Sequence, residues 1–360
     1  MRHHDGVVSD SLPDATSPAR PVPPPGQLLG AAEAQQARRA HEERADALTA
    51  GHRERTARGE KHAVLDFLFT YYPFSPARLR RWHPGWQVAY DAAADRDENG
   101  EPSIRDVDDQ GQRNWYLDAR YDDARGPGAE EPSTEGRTLR RADVARYLSE
   151  RGDALRFMQR LLSASSVKNR RPQFGCFGLH EWAMVHGLQP GQQRHENLPL
   201  RLSQAETDAV VERENLICSH IDAFRFFTPT AAPQNSLQPT RATQVARDNP
   251  ACLHVGMDLY KWAMKLTPLV SSSLVLDCFE HALETRVLDM EASPYDVRPL
   301  GYGVVPIETP AGKAEYVRRQ RALAARADEL RGQLLAHCAP LLSTLEAPEA
   351  PVPAQGGSAR

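Results

Sequence analysis

Cysteine is scarce in this chain, net charge is nearly absent, and no long apolar run occurs. The five cysteines, Cys176, Cys218, Cys252, Cys278 and Cys338, lie far apart in 360 residues and form no C-x-x-C pair. A short scaffold stapled by disulfides is therefore excluded. The formal net charge of -4 gives no global footprint of a nucleic-acid or polyanion binder, so any basic surface must be local. Charged residues interrupt every apolar stretch before it reaches the roughly 18 residues that a membrane span needs, which argues against a membrane role. The first residues, Met1 to Gly6, lack the apolar segment of a secretory signal. Together with the dispersed thiols, this leads us to expect reduced cysteines and a cytoplasmic location.

What is present is a hydrophobic content of 40%, enough for one large core or two smaller ones sharing an interface. Six prolines fall within the first 26 residues, so residues 1–28 are expected to be a disordered tail. Residues 29–60, rich in Ala, Arg, Glu and Gln, read as a solvated helix that packs weakly. A single core domain is expected over 61–345, opening on the dense run from Ala63 to Pro73 and interrupted by a polar excursion at 92–137. The Pro-, Ala- and Gly-rich residues 346–360 are expected to be a second disordered tail.

Within the core, Val144, Leu148, Leu155, Met158 and Leu162 recur at helical spacing, with Gly152 as a potential break. Ser203 and Glu206 form a capping box that starts a helix over 204–214. Two adjacent stripes, Leu274, Cys278, Ala282 and Val275, Phe279, Leu283, predict a helix ending near Leu288. Thr309 and Pro310 cap a helix over 310–337 with Tyr316, Leu323, Leu330 and Leu334 inward. The fold class is mainly α; α+β with a minor sheet stays open, because short runs such as Leu216 to Ile221 suit strands.

Three constellations carry chemical potential. The segment Gly175 to His186 contains His180 and Glu181 but places Met at 184, so the zinc-protease motif H-E-x-x-H fails and an adjacent polar pair is left in apolar surroundings. Two C-x-H units, Cys218 with His220 and Cys252 with His254, could each offer a thiolate and an imidazole to zinc, although the spacing is tighter than structural sites use. No cofactor is required by any motif. The third constellation is a polar series: His220, Asp222, Arg225, Asp258, Lys261, Asp277, Arg286, Asp289, Tyr295 and Asp296, among the aromatics Phe224, Phe226, Phe227, Tyr260 and Trp262. Either these converge on an aromatic-lined pocket suited to acid and base work, or they are ion pairs holding helix ends. Basic clusters at Arg78, Arg80 and Arg81, at Arg137, Arg140 and Arg141, and at Lys168, Arg170 and Arg171 offer local phosphate contacts.

The segments Phe67 to Tyr72, Leu79 to Pro84, Leu179 to Met184, Cys218 to Pro229, Met257 to Trp262 and Ala292 to Asp296 together resemble a bacterial, especially actinobacterial, family commonly labelled 3-methyladenine DNA glycosylase. The resemblance covers about residues 60 to 337. It implies hydrolysis of the N-glycosidic bond of an alkylated purine flipped out of DNA, with a carboxylate supporting the sugar cation or activating water. No helix-hairpin-helix signature is present, so no catalytic residue transfers from those enzymes. The candidates are therefore acids among Asp222, Asp289 and Asp296 with His220 and Arg225, and a surrounding set of His180, Glu181, His254, Asp258, Tyr260, Lys261, Trp262, Arg286 and Tyr295. Two other classes stand beside this one: a small-molecule hydrolase or transferase with a His/Asp/Arg pocket, and a non-catalytic binding protein. DNA should bring the basic clusters to one face, whereas a small substrate needs only the pocket.

Overall fold

The computed structural model describes residues 26–95, 115–120, 138–189, 192–193 and 198–346. Helices dominate these residues and a four-stranded sheet accompanies them, as the mainly α reading with a minor sheet anticipates.

Strand β1 (Gln27–Leu29) leads into helix α1 (Ala31–Ala57). Two positions of the tail expected to be disordered, Gln27 and Leu28, thus belong to a strand; residues 1–25 lie outside the described residues. Helix α1 is polar overall, yet Ala34, Arg38, His41, Ala45 and Thr49 recur every three or four positions as one buried stripe. It does not pack weakly. Arg38 donates to the Ala94 carbonyl at 2.7 Å and pairs with Asp95, and Arg44 bridges Asp277 at 2.7 Å and Glu280 at 2.6 Å. Polar side chains make this interface, so counting apolar residues misjudged it.

Pro73 follows the short helix α2 (Phe67–Tyr71), and Ser75 caps α3 (Pro76–Leu79) by accepting the Arg78 amide. Strands β2 (Val88–Asp91), β3 (Tyr116–Arg120) and β4 (Thr138–Ala142) complete a sheet of order β1-β2-β4-β3. β1 runs parallel to β2 and the other pairs are antiparallel, with Leu28 opposite Ala89 and Asp118 opposite Arg140. Part of the polar excursion is therefore structured; its residues 96–114 and 121–137 lie outside the described residues. The run from Leu216 is not a strand. The Asn235 side chain takes the place of a neighbouring strand, accepting the Cys218 amide at 2.8 Å and donating to the Cys218 carbonyl at 2.9 Å.

Helix α4 (Val144–Ala164) is capped by Asp143 and passes unbroken through Gly152, which is buried on its packed face. The one-turn helix α5 (Leu179–Ala183), α6 (Gln204–Arg213) with its Ser203–Glu206 capping box, α7 (Ile221–Phe224) and α8 (Gln244–Arg247) follow. Helices α9 (Leu253–Lys265) and α10 (Ser272–Glu291) then pack along each other, and α11 (Pro310–Glu346) crosses both and α4. The last helix extends beyond the expected end at 337 and contains Pro340; residues 347–360 lie outside the described residues. Met257, Leu259, Leu276, Phe279, Ala282, Leu330 and Leu334 are at most 1% exposed where these helices meet. Each such large apolar side chain contributes on the order of 1.5–3 kcal/mol. Helices α9 and α10 form the rigid floor on which the polar residues below are mounted.

Candidate functional site

The site begins at an unusual piece of backbone. Phe177 and Gly178 have φ of 49° and 72°, two successive left-handed residues directly before α5. A side chain in that region costs roughly 1–2 kcal/mol, a cost that marks positions where the fold overrides local preference. The reversal turns α5 inward, so His180, Glu181, Trp182 and Ala183 are all buried. Trp182 anchors the turn by donating its indole N–H to the Ala292 carbonyl at 2.9 Å.

His180 meets Asp289 of α10, Nε2 to Oδ1, at 2.8 Å. Arg286, one helical turn earlier, donates to Asp289 Oδ2 at 2.5 Å and to Glu181 Oε1 at 2.7 Å, while its guanidinium lies 3.8 Å from the centre of the Phe67 ring. A second group sits beside this one. His220 Nε2 is 3.2 Å from Asp258 Oδ2, the Tyr72 hydroxyl donates to Asp258 Oδ1 at 2.8 Å, and the Lys261 ammonium donates to Oδ2 at 2.5 Å. Asp222 accepts from Arg241 and lies 3.6 Å from Lys261 and 3.7 Å from Arg225. His254 joins the groups, its ring centre 4.4 Å from that of His180 and 5.4 Å from that of His220. The result is a continuous buried seam of three histidines, three aspartates and their cationic partners.

Removing these charges from water costs several kcal/mol per ion unless each is paired. The pairing sets the direction in which each buried group's pKa is displaced. Burial opposes a charge on His180, but the Asp289 carboxylate beside it raises its pKa well above the usual value. Burial likewise opposes ionisation of Asp289, yet His180 and then Arg286 hold it far below the ordinary carboxylate range. Asp258 is held low against burial by Lys261 and His220. His254 goes the other way: burial first and the neighbouring His180 second push it well below its ordinary value. The Nδ1 atoms of His254 and His220 are buried with no hydrogen-bond partner.

The seam borders a narrow, partly open crevice of about 20 Å³, room for about one water molecule. Phe67, Tyr71, Met184, Ala223 and Phe226 supply its apolar lining, and Glu181, Asp222, His254 and Arg286 its polar lining. As it stands the crevice admits a water-sized group next to its charged residues, and a larger substrate requires the walls to part.

Of the residues singled out from sequence, His180, Glu181, His220, Asp222, His254, Asp258, Lys261, Arg286 and Asp289 come together here. Others do not. Asp296 pairs with Arg298 at 2.7 Å beyond the end of α10, and Tyr295 packs with Val64, Val185 and Val297 in a separate apolar cluster. Tyr260 is enclosed by Tyr72, Phe74 and Phe279, and Trp262 packs against Phe157 beneath Lys261 and Lys265. Arg225 is half exposed over the Phe226 ring. The two C-x-H units do not form a four-ligand set. Among the described residues, ligand atoms within 4.8 Å of one another belong to His180, His254 and Asp289, and to His220, Asp222 and Asp258, with neither sulfur included.

Sequence reasoning passed over Tyr72, Arg241 and Cys176, whose sulfur is 4.0 Å from His180 Nδ1, and gave Phe67 and Tyr71 no site role. The one available signal was the aromatic density from Phe67 to Tyr72. The basic clusters are partly committed to internal contacts. Arg80 bonds Glu42 and Asp46, Arg140 bonds Asp95 and Asp118, and Arg170 donates to the Asp248 and Val245 carbonyls. Arg137 lies outside the described residues. No helix among the described residues is long and apolar enough to cross a membrane. Comparison of the chain with family models, with curated proteins and with solved structures returns no match to any of them.

Proposed function

We propose that this chain is a small-molecule hydrolase acting at the polar residues of this crevice. The observation that carries the reading is that Asp222, Glu181, His254 and Arg286 line one crevice together with Phe67, Tyr71, Met184 and Phe226. The apolar walls hold and orient the substrate and exclude bulk water, which strengthens every charge interaction inside. Asp222, fixed by Arg241 and Lys261, is placed to take a proton from a bound water. Arg286, which lines the same crevice, adds a fixed positive charge beside the attacked group.

A second reading, excision of an alkylated purine from DNA, is favoured by the family resemblance and by the aromatic walls, which suit a flat base next to a carboxylate. Against it, Arg80, Arg140 and Arg170 already serve the fold, and phosphate contacts need free cations. One experiment separates the two. Purified protein is assayed for hydrolysis of a panel of esters, amides, phosphoesters and free nucleosides, and in parallel for release of base from methylated duplex DNA. Turnover on the panel that is lost in Asp222→Asn supports the first reading. Base release from DNA with an inactive panel replaces it with the second, and silence in both assays removes the enzymatic reading.

A further inference from the structure

We infer that His180, His254 and Asp289 form a binding site for one divalent first-row transition-metal ion beside the cleft. The inference names what would activate water in the hydrolase reading, but it rests on its own geometry and can be tested without any substrate.

Three ligand atoms, one from each side chain, lie within 4.8 Å of one another, and all three residues are buried. Ligands that bind such an ion at about 2.0–2.2 Å stand roughly 3–3.5 Å apart, so coordination asks these atoms to draw together by at most about 1.5 Å. Two imidazoles and one carboxylate are a donor set that suits manganese, iron, cobalt or zinc in the divalent state and leaves coordination positions for water or substrate. His254 lines the cleft, which gives an ion a route in and a bound water a route to the substrate.

His254 supplies the independent observation. Its Nδ1 is buried and makes no hydrogen bond, a cost the fold has no structural reason to carry. The outer contacts resemble those that orient metal ligands. Arg286 fixes the second oxygen of Asp289, Glu181 fixes Arg286, and Cys176 lies against the far ring nitrogen of His180. Charge points the same way. With neutral imidazoles, Asp289 and Glu181 outweigh Arg286 by one negative charge.

The neighbouring group of His220, Asp222 and Asp258 has similar spacing but a different balance. Lys261 and Arg241 already neutralise its two carboxylates, so it needs no further cation.

The test uses the full-length protein, stripped with chelator and titrated with Co²⁺, Mn²⁺ and Zn²⁺. Calorimetry, the visible absorption of bound Co²⁺ and the melting temperature are the readouts. The expected result is one equivalent bound, with a Co²⁺ spectrum and a higher melting temperature. Asp289→Asn and His254→Gln should each weaken binding by about a hundredfold or more, beyond the 10- to 100-fold typical of outer contacts. The Nδ1 of His254 has no hydrogen-bond partner to lose, so its variant should fold even if Asp289→Asn does not. Asp222→Asn should bind as the wild type does. No binding of any of the three ions by folded wild type overturns the proposal, as does wild-type affinity in His254→Gln or loss of binding in Asp222→Asn. Metal binding without turnover on the substrate panel leaves this site standing and removes the hydrolase reading; turnover that resists chelation, in protein that binds none of the ions, does the reverse.

Discussion

His180 and Asp289 stand 109 positions apart in the chain and share a 2.8 Å hydrogen bond, with both side chains at most 3% exposed. Such a pair is held by its own complementarity, since no water remains to solvate a survivor. Asp289→Ala should therefore destabilise the protein by about 3–5 kcal/mol, because His180 and Arg286 would lose their shared counter-charge. Urea unfolding followed by circular dichroism measures this. A loss below about 1 kcal/mol would mean that water reaches the pair.

Two glycines of α11 make a matched comparison. A Cβ on Gly312 would lie 1.9 Å from the Pro306 carbonyl oxygen and 2.3 Å from its carbon, backbone atoms that cannot swing aside. Gly312→Ala should cost about 3 kcal/mol or more, or prevent folding. Gly332 lies in the same helix with nothing within 4 Å of its potential Cβ, so Gly332→Ala should stabilise by roughly 0.5–1 kcal/mol. Thermal melts of the two variants should move in opposite directions.

Asp248 provides a pH signature. Burial raises its pKa from 3.8 to about 6, and its Oδ1 has no hydrogen-bond partner. The folded state thus holds a proton that the unfolded chain releases near pH 3.8. No penalty exists below that pH, and stability is lost as pH rises through about 6. Asp248→Asn carries no charge and should escape this loss. Its stability relative to wild type should climb between pH 4 and 7 and level off at an advantage of at most about 3 kcal/mol. Denaturant midpoints at several pH values test the trend; a flat difference would disprove it.

On a substrate identified from the panel, Asp222→Asn should lower kcat by about 100- to 10,000-fold, the range expected for losing a general base. Asp296→Asn should leave activity unchanged, because Asp296 pairs with Arg298 outside the cleft. Comparing the two in one assay tells a local role from a general effect of removing acidic charge.

Part of the seam was legible on separate grounds: His180 and Glu181 as a polar pair in an apolar segment, His220 and His254 from the C-x-H units, and Asp222 and Asp258 from the polar series among aromatics. Helices α6 and α10 were legible from a capping box and a regular apolar stripe. The partners were harder to see. Tyr72 reaches Asp258 across 186 positions, and no local pattern encodes such a meeting. Asp296 and Tyr295 seemed to extend the series begun by Asp289, but α10 ends at Glu291 and the chain then leaves the cleft. The packing of α1 escaped notice because its buried stripe includes Arg38, His41 and Thr49, which a search for apolar periodicity passes over.

The backbone reversal at Phe177 and Gly178 bears on how the protein folds as well as on where His180 points. Until α10 is docked, His180 and Glu181 have no reason to leave water, and the left-handed turn that buries them carries a cost with nothing to offset it. The turn and the ion pairs behind it are therefore coupled, and substitutions that break Arg286–Asp289 should also loosen the backbone at Phe177 and Gly178.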